Sequence, residues 1–284
     1  MKHVLIIGGN RGLGLAWTKY YLAEGYKVTA TYHDRDNSQA IFDIKSKKLN
    51  VLECDVTNEM NITALADKVK DADYIIYNAG TKGYKVPFTT PDKITPQERE
   101  FAMKVNCYGV DSVMRTFLPI MLTRKNGVFV YMSSGVSSTL DNASGGYHPY
   151  RMSKAAGNSA VRNMDIFVTQ TWLKNGNLAS ERPVLFALSP GLVDTGMGAG
   201  VGGAMPVKQA LEEMDKVIEN VGKSKDSHGL WSHNNTKIEN YVEPNVLKVP
   251  SQPILPAYQE SVKKLLHCQS KPSIHSMVLR TRLR

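Results

Sequence analysis

The stretch His-Pro-Tyr-Arg-Met-Ser-Lys, residues 148–154, places Tyr150 four positions before Lys154. On a helix, positions i and i+4 lie one above the other on the same face. A phenol titrates near pH 10 and exchanges its proton reluctantly at neutral pH. An ammonium beside it stabilises the phenolate and draws that pKa down. The spacing suits a proton-transfer group, although surface helices also acquire Tyr and Lys at this interval by chance. Tyr147 is a rival phenol, with Arg151 at its own i+4 position. Upstream, an apolar run ends in Ser133-Ser134. A serine hydroxyl there can polarise a substrate oxygen by hydrogen bonding. Adjacent strand residues point to opposite faces, so only one of the two serines reaches a common site.

A second group of residues suits phosphate. Gly8, Gly12 and Gly14, with Asn10, Arg11 and Leu13 among them, follow a short apolar run and open a helical pattern. Glycine permits positive φ and close approach of backbone to a ligand. The N–H groups and dipole at a helix start then favour a pyrophosphate. Glycines also serve tight turns, so this loop alone decides little.

These groups need elements that bring them to one place. Residues 3–8, 26–32, 49–56, 73–80, 127–134 and 183–191 are short apolar runs that read as strands. Between them, 13–25, 62–72, 96–125 and 150–175 read as helices. A polar stretch before residue 49 is expected to carry a further helix. Pro96 suits a first turn and Gly25 a stop. Such alternation predicts an α/β fold, a doubly wound parallel sheet of Rossmann type with helices on both faces. Ligands bind such sheets beyond the carboxyl ends of the strands. The segments just after the strands therefore converge on one rim: the glycine loop, His33 to Asp36, Asp55-Val56, Asn78-Ala79-Gly80, Ser133 to Gly135, and Ser189 to Met197.

Composition bounds the alternatives. The chain has 284 residues, 42% hydrophobic and 21% charged, which is ordinary globular usage. No apolar run is long enough for a membrane span. The opening residues enter the glycine loop directly and do not read as a secretory signal. Cys54, Cys107 and Cys268 are odd in number and lack ligand spacing, which predicts reduced thiols, no metal and a cytoplasmic location. The net charge is +9, but residues 244–284 hold seven basic residues against Glu260 alone. The body is therefore only mildly basic, and nucleic acid or a membrane surface ranks last among partners. The expected organisation is one domain over 1–243 and a basic, proline-containing extension over 244–284, which supplies no chemical group to the rim. His228, Trp231 and His233 read as packing or turn residues, because no acidic residue lies at ligand spacing from them.

Together and in order, the glycine loop, Asn78-Ala79-Gly80, a serine before Tyr150-x-x-x-Lys154, and Pro190-Gly191 resemble the short-chain dehydrogenase/reductase family. Within it, residues 145–154 and 190–197 resemble the carbonyl-reductase-like branch that includes the C-factor and sniffer proteins. The likeness covers residues 1–200 well, 200–243 loosely and the extension not at all. Ile7 stands where the family usually has Thr, whose hydroxyl ties the loop to neighbouring backbone. Ser134 is 16 residues before Tyr150, a slightly longer loop than the usual form.

The resemblance implies hydride transfer between a nicotinamide and a carbonyl or alcohol substrate. Tyr150 would exchange the proton on oxygen, and Ser134, ahead of Ser133, would hold that oxygen. Lys154 would charge-stabilise the phenolate and bind the nicotinamide ribose. Asn106 would support a water chain to Lys154, or equally be a helix-kink residue bonded to backbone. Asp55 and Val56 would lie near the adenine, with turn chemistry at Asp55 compatible. Pro190, Gly191, Val193 and Thr195 would contact the nicotinamide carboxamide. The glycine-dense stretch after Thr195 is a flap over the substrate or a plain connector. NADP(H) is favoured over NAD(H) because Arg11 stands where NADP-preferring members carry a basic residue, and because His33 rather than an acid ends the second strand. Asp34 is the counter-evidence, and Arg35 either shares the phosphate or is a solvated charge. A homodimer or homotetramer is expected through the helices near Pro96 and Tyr150. A catalytically silent cofactor-binding regulator of the same fold is the alternative.

Overall fold

The computed structural model describes residues 1–83, 94–142 and 146–238. They fall in one compact unit, Met1–Val242. The 244–284 extension and its expected role lie outside the described residues.

Eight strands form one sheet: β1 (His3–Ile7), β2 (Lys27–Tyr32), β3 (Leu49–Glu53), β4 (Tyr74–Tyr77), β5 (Val128–Met132), β6 (Val184–Ser189), β7 (Leu230–Ser232) and β8 (Lys237–Ile238). Their order is β3-β2-β1-β4-β5-β6-β7-β8. Pairing is parallel throughout except for β7 with β8. Strand order reverses between β1 and β4, which opens the crevice that such sheets use for ligands. The helices are α1 (Gly12–Ala23), α2 (Gln39–Phe42), α3 (Glu59–Lys68), α4 (Pro96–Met103), α5 (Gly109–Met121), α6 (His148–Lys174) and α7 (Val207–Ser224).

Strand alternation builds two apolar layers. Leu5, Ile7, Ile75, Phe129 and Leu185 face α3, α5 and α6 through Ile62, Val113, Phe117, Val161 and Val168. Val4, Ile6, Val28, Val130 and Phe186 face α1 and α7 through Trp17, Tyr21, Met214, Val217 and Val221. Both layers are closed to solvent, as a parallel sheet requires.

Three features depart from the sequence reading. The single helix expected over 96–125 is broken by a π turn at Lys104–Tyr108, between α4 and α5. The helix expected over 62–72 starts earlier, because Asn58 caps it by accepting from the N–H groups of Met60 and Asn61. The sheet does not end at the sixth strand. α7 buries Ala210, Leu211, Met214, Val217, Ile218 and Val221, an apolar stripe at helical spacing, and β7 and β8 extend the sheet edge.

A buried polar cluster joins this late segment to the core. Asp165 on α6 is 1% exposed. Its carboxylate accepts from Arg162, Arg182, Ser227 Oγ at 2.7 Å and the Leu185 backbone N–H at 3.0 Å. Arg182 in turn donates to Lys225 O at 2.6 Å. Removing one member strands a buried charge, which costs about 3–5 kcal/mol. Asp165→Ala is therefore expected to lose stability on that scale in urea unfolding; a loss below about 1 kcal/mol would show the cluster to be dispensable.

Candidate active site

The glycine loop and the segment after β4 meet at the strand-order reversal. Asn78 and Ala79 both donate their N–H to Ile7 O, at 3.0 and 2.8 Å. Gly8 has φ +77, and a Cβ there would lie 2.9 Å from Ala79 backbone. A Cβ at Gly14 would lie 1.9 Å from Gly8 O. Neither position admits a side chain. The Ile7 side chain is fully buried and brings no hydroxyl to the loop. Other residues hold the loop instead. Gly8 N–H donates to Thr31 Oγ1 at 2.9 Å, Asn78 Nδ2 donates to Gly8 O at 2.9 Å, and the Thr18 hydroxyl lies 2.9 Å from Gly14 O. Sequence reasoning missed Thr31 and Thr18; their mid-element positions carry no motif.

α1 then begins at Gly12 with Arg11 as N-cap and no side-chain cap bond. α3 and α4, by contrast, are capped by Asn58 and Thr95. The α1 start thus presents backbone N–H groups in a glycine-lined cradle beside the crevice. That is the arrangement an anion such as a pyrophosphate requires. Leu13 is half-buried against the α1 and α7 layer. A Cβ on Gly12 would meet Thr195 Oγ1 at 3.4 Å, so the loop after β6 reaches across to the cradle.

Beyond β2, Asn10 Nδ2 donates to Ser38 Oγ at 2.8 Å, and Ser38 Oγ donates to Asp34 O. The Asp34 carboxylate accepts from the Asp36 N–H at 3.1 Å and from Asn37 Nδ2. These bonds, that to Asn37 foremost, lower its pKa and turn it into its own loop. His33 and Arg11 are exposed on the rim. The Arg35 guanidinium stacks 3.3 Å from the centre of the Phe42 ring. Asp55 takes turn chemistry, accepting from Thr57 N–H at 2.9 Å and Thr57 Oγ1 at 2.8 Å. Val56 is buried in the core.

α6 places the phenol and the amine. Tyr147, at φ 61, is its N-cap and Pro149 lies in its first turn. The Ser134 side chain lies close enough to the Tyr150 phenol to pull its pKa down. Ser133 points away, donating to Asn158 Oδ1 at 2.6 Å. Lys154 is 2% exposed and donates to Met132 O at 2.6 Å. Its Nζ stands 5.9 Å from the centre of the Tyr150 ring. The expectation that Lys154 draws the phenol pKa down is not met. Burial raises Tyr150, with the nearby Ser134 hydroxyl pulling the other way. Burial also drops the Lys154 ammonium to about 7. Desolvation, which disfavours both charged forms, dominates this pair.

Asn106 lies fully buried inside the π turn. Its side-chain amide clamps Thr81 backbone, accepting from the N–H at 3.0 Å and donating to the C=O at 2.7 Å. It also donates to Ser153 Oγ at 2.9 Å, and Ser153 donates to Tyr150 O at 3.0 Å. Asn106 thus links the exit of β4 to the first turn of α6. A Cβ on Gly80 would lie 3.3 Å from Lys154 Nζ and 3.4 Å from Asn106 Oδ1, so that glycine sits between the two.

The loop after β6 is pinned by a bridge between Val193 and Met205. The stretch between them is neither extended nor featureless. It holds a 3-10 turn at Gly196–Gly198 and a bond from Gly200 N–H to Asp194 Oδ1 at 3.1 Å. Pro190 and Gly191 open this loop, and His233 packs behind Gly191, where a Cβ would lie 2.8 Å from His233 Nε2. His233 does have an acidic partner: Nδ1 lies 2.6 Å from Glu213 Oε2 on α7. The pair was invisible in sequence because 20 residues separate its members. The rim therefore also draws on residues beyond 200. Trp231 packs in the core as read. Among the described residues, no group of three or more His, Cys, Asp or Glu could hold a metal ion, and no helix is long and apolar enough to cross a membrane.

Comparison with known proteins agrees with this geometry. The short chain dehydrogenase family pattern matches residues 2–205. The NADPH-dependent pterin aldehyde reductase of Arabidopsis thaliana is 30% identical over 142 residues, 47% of this chain and 57% of that protein. An uncharacterized oxidoreductase of Schizosaccharomyces pombe is 26% identical over 206 residues, 70% of this chain and 76% of that one. The match thus spans little more than half the length of the plant relative. Among solved structures, the carbonyl reductase Sniffer of D. melanogaster has a TM-score of 0.72 at 22% identity, covering 84% of this chain and 99% of that one. A short-chain dehydrogenase/reductase from Burkholderia multivorans with bound NADP has a TM-score of 0.70 at 23% identity, with the same coverage. The pattern takes in well over half of the sequence, and this chain belongs to the short chain dehydrogenase family, whose members are NAD(P)-dependent oxidoreductases.

Proposed function

We propose that this chain is an NADP(H)-dependent carbonyl reductase or alcohol dehydrogenase, with Tyr150 as general acid and base. The observation that carries the reading is the placing of Ser134 close to the Tyr150 phenol, one helical turn from buried Lys154. A nicotinamide bound here supplies the hydride. The glycine cradle and the uncapped α1 start would hold its pyrophosphate, and Thr195, with Pro190, Gly191 and Val193, its carboxamide side. Ser134 and Tyr150 hydroxyls converge on a carbonyl oxygen and polarise it. Burial keeps Tyr150 protonated, so it enters as the acid of a reduction and gives its proton to the forming alkoxide. Lys154, when charged, steadies the phenolate left behind. Asn106 supports this arrangement by fixing Thr81 and Ser153.

NADP(H) fits better than NAD(H). Arg11, His33 and Arg35 lie in the loops that follow β1 and β2, and Asp34 spends its carboxylate on its own turn. The plant NADPH-dependent relative and the NADP-bound neighbour support the same choice. A cytoplasmic location and a homo-oligomer paired through α4, α5 and α6 complete the reading. Phe101 on α4, Tyr108 in the π turn and Met152 on α6 leave large apolar side chains exposed there.

Tyr150→Phe is expected to keep cofactor binding and cut carbonyl reduction at least about a hundredfold. Retained turnover would remove Tyr150 as the acid. A wild type that binds NADPH yet reduces nothing in a screen of aldehydes, ketones and quinones would leave a binding regulator standing.

Arg11→Ala is expected to raise KM for NADPH at least about tenfold more than KM for NADH, the scale of one charge-assisted contact. Equal losses for the two cofactors would sink the 2′-phosphate assignment.

Light scattering is expected to give a dimer or tetramer mass. A monomer mass across micromolar concentrations would exclude the helix pairing.

A further inference from the structure

A π turn breaks the regular helical ladder, and buried carbonyls must find donors. At Lys104–Tyr108 two carbonyls accept from phenols below them. Tyr77 donates to Val105 O at 2.6 Å and Tyr131 donates to Asn106 O at 2.7 Å. Both tyrosines are fully buried, and they are register partners on β4 and β5. Opposite each stands a glycine. A Cβ on Gly109 would lie 2.5 Å from Tyr77 Oη, and one on Gly157 would lie 2.5 Å from Tyr131 Oη. Two phenols are thus seated in two glycine slots on the helices above.

The two tyrosines differ in one respect. The Tyr131 ring centre lies 4.6 Å from Lys154 Nζ. A buried ammonium is costly unless something compensates its charge. Among the described residues no carboxylate pairs with Lys154. Its partners are the Met132 carbonyl, the Tyr131 ring face and, farther off, the Tyr150 ring. An aromatic face supplies negative potential to a desolvated cation.

We infer that Tyr131 is a positioning residue for Lys154: its ring face holds the ammonium at the site. The inference rests on the reading above in which Lys154 works in its charged form.

The other ionisable groups around this contact are Tyr77 from β4, Cys107 from the π turn and Tyr150 from α6. Burial pushes all three, and Tyr131 itself, upward, so they stay neutral near pH 7. Lys154 is the one of this group that titrates there, at about 7 against 10.5 ordinarily. Its folded pKa lies below its unfolded one, so between those values the unfolded chain binds the extra proton. Stability therefore rises with pH across that window.

The test is urea unfolding of the full chain, without added cofactor, from pH 6 to 10. Each form is compared with its own Lys154→Met counterpart, which lacks this titration. Wild type is expected to gain stability above about pH 7, and Tyr131→Phe, which keeps the ring, to show the same onset. Tyr131→Leu is expected to move the onset down by about one pH unit. An unmoved onset in Tyr131→Leu, an equal shift in Tyr131→Phe, or no slope in wild type would each overturn the inference. Should Tyr131→Leu not fold, ring-fluorinated phenylalanines at 131 keep the shape and weaken the face. Their onset must then fall with each added fluorine, and a constant onset overturns the inference. Carbonyl reduction with NADPH is assayed separately on wild type. The expected shift in a protein that reduces nothing supports the ring–ammonium contact while removing the enzymatic reading. Normal turnover without the shift removes only the role of Tyr131.

Discussion

The whole arrangement hangs on the pairing of β1 with β4 at the centre of the sheet. There Ile7 O accepts from two successive N–H groups, and Gly8 comes so near Ala79 that no side chain fits between them. Strand order reverses at this line, so the loops on its two sides diverge and leave a crevice. Everything proposed to touch the cofactor is placed relative to that opening. The glycine cradle lies on one side, and the α6 phenol, the π turn and the loop after β6 lie on the other.

Burial rather than attraction sets the charge state of the Tyr150–Lys154 pair. Isolated on a helix, a lysine one turn from a tyrosine would draw the phenol pKa down. In the fold both groups lose water, and that loss works against both ions. The outcome is a protonated phenol and an amine poised near neutrality, a combination suited to giving a proton rather than taking one. Around it the polar groups are spoken for. Asn106 bonds to both Thr81 and Ser153, and Ser153 donates to the Tyr150 carbonyl.

The parts legible in sequence were those where one local rule acts alone. Strands β1, β4, β5 and β6 are continuous apolar runs, and Gly8, Gly12 and Gly14 announce a loop that no other residue can make. Strand alternation leaves one of Ser133 and Ser134 for the site, and the family resemblance favours Ser134; Ser133 turns to Asn158. The π turn was legible only at Asn106, whose reading as a helix-kink residue bonded to backbone matches its place there; the phenols that serve its carbonyls, Tyr77 and Tyr131, come from other elements. β7 and β8, at three and two residues, are too short to carry a pattern. α7 is a different case. Its apolar stripe from Ala210 to Val221 is plain at helical spacing, and the six-strand reading stopped short of it. The Glu213–His233 pair needed both missing elements before it could exist on paper.

The link from Asn10 through Ser38 to Asp34 bears on how this protein could change over time. On the reading proposed above, one end of that chain belongs to the loop for the phosphates that both nicotinamide cofactors share, and the other to the loop that tells them apart. A substitution at Ser38 aimed at the other cofactor would then slacken the common grip as well, and exchange would call for coordinated changes on both loops.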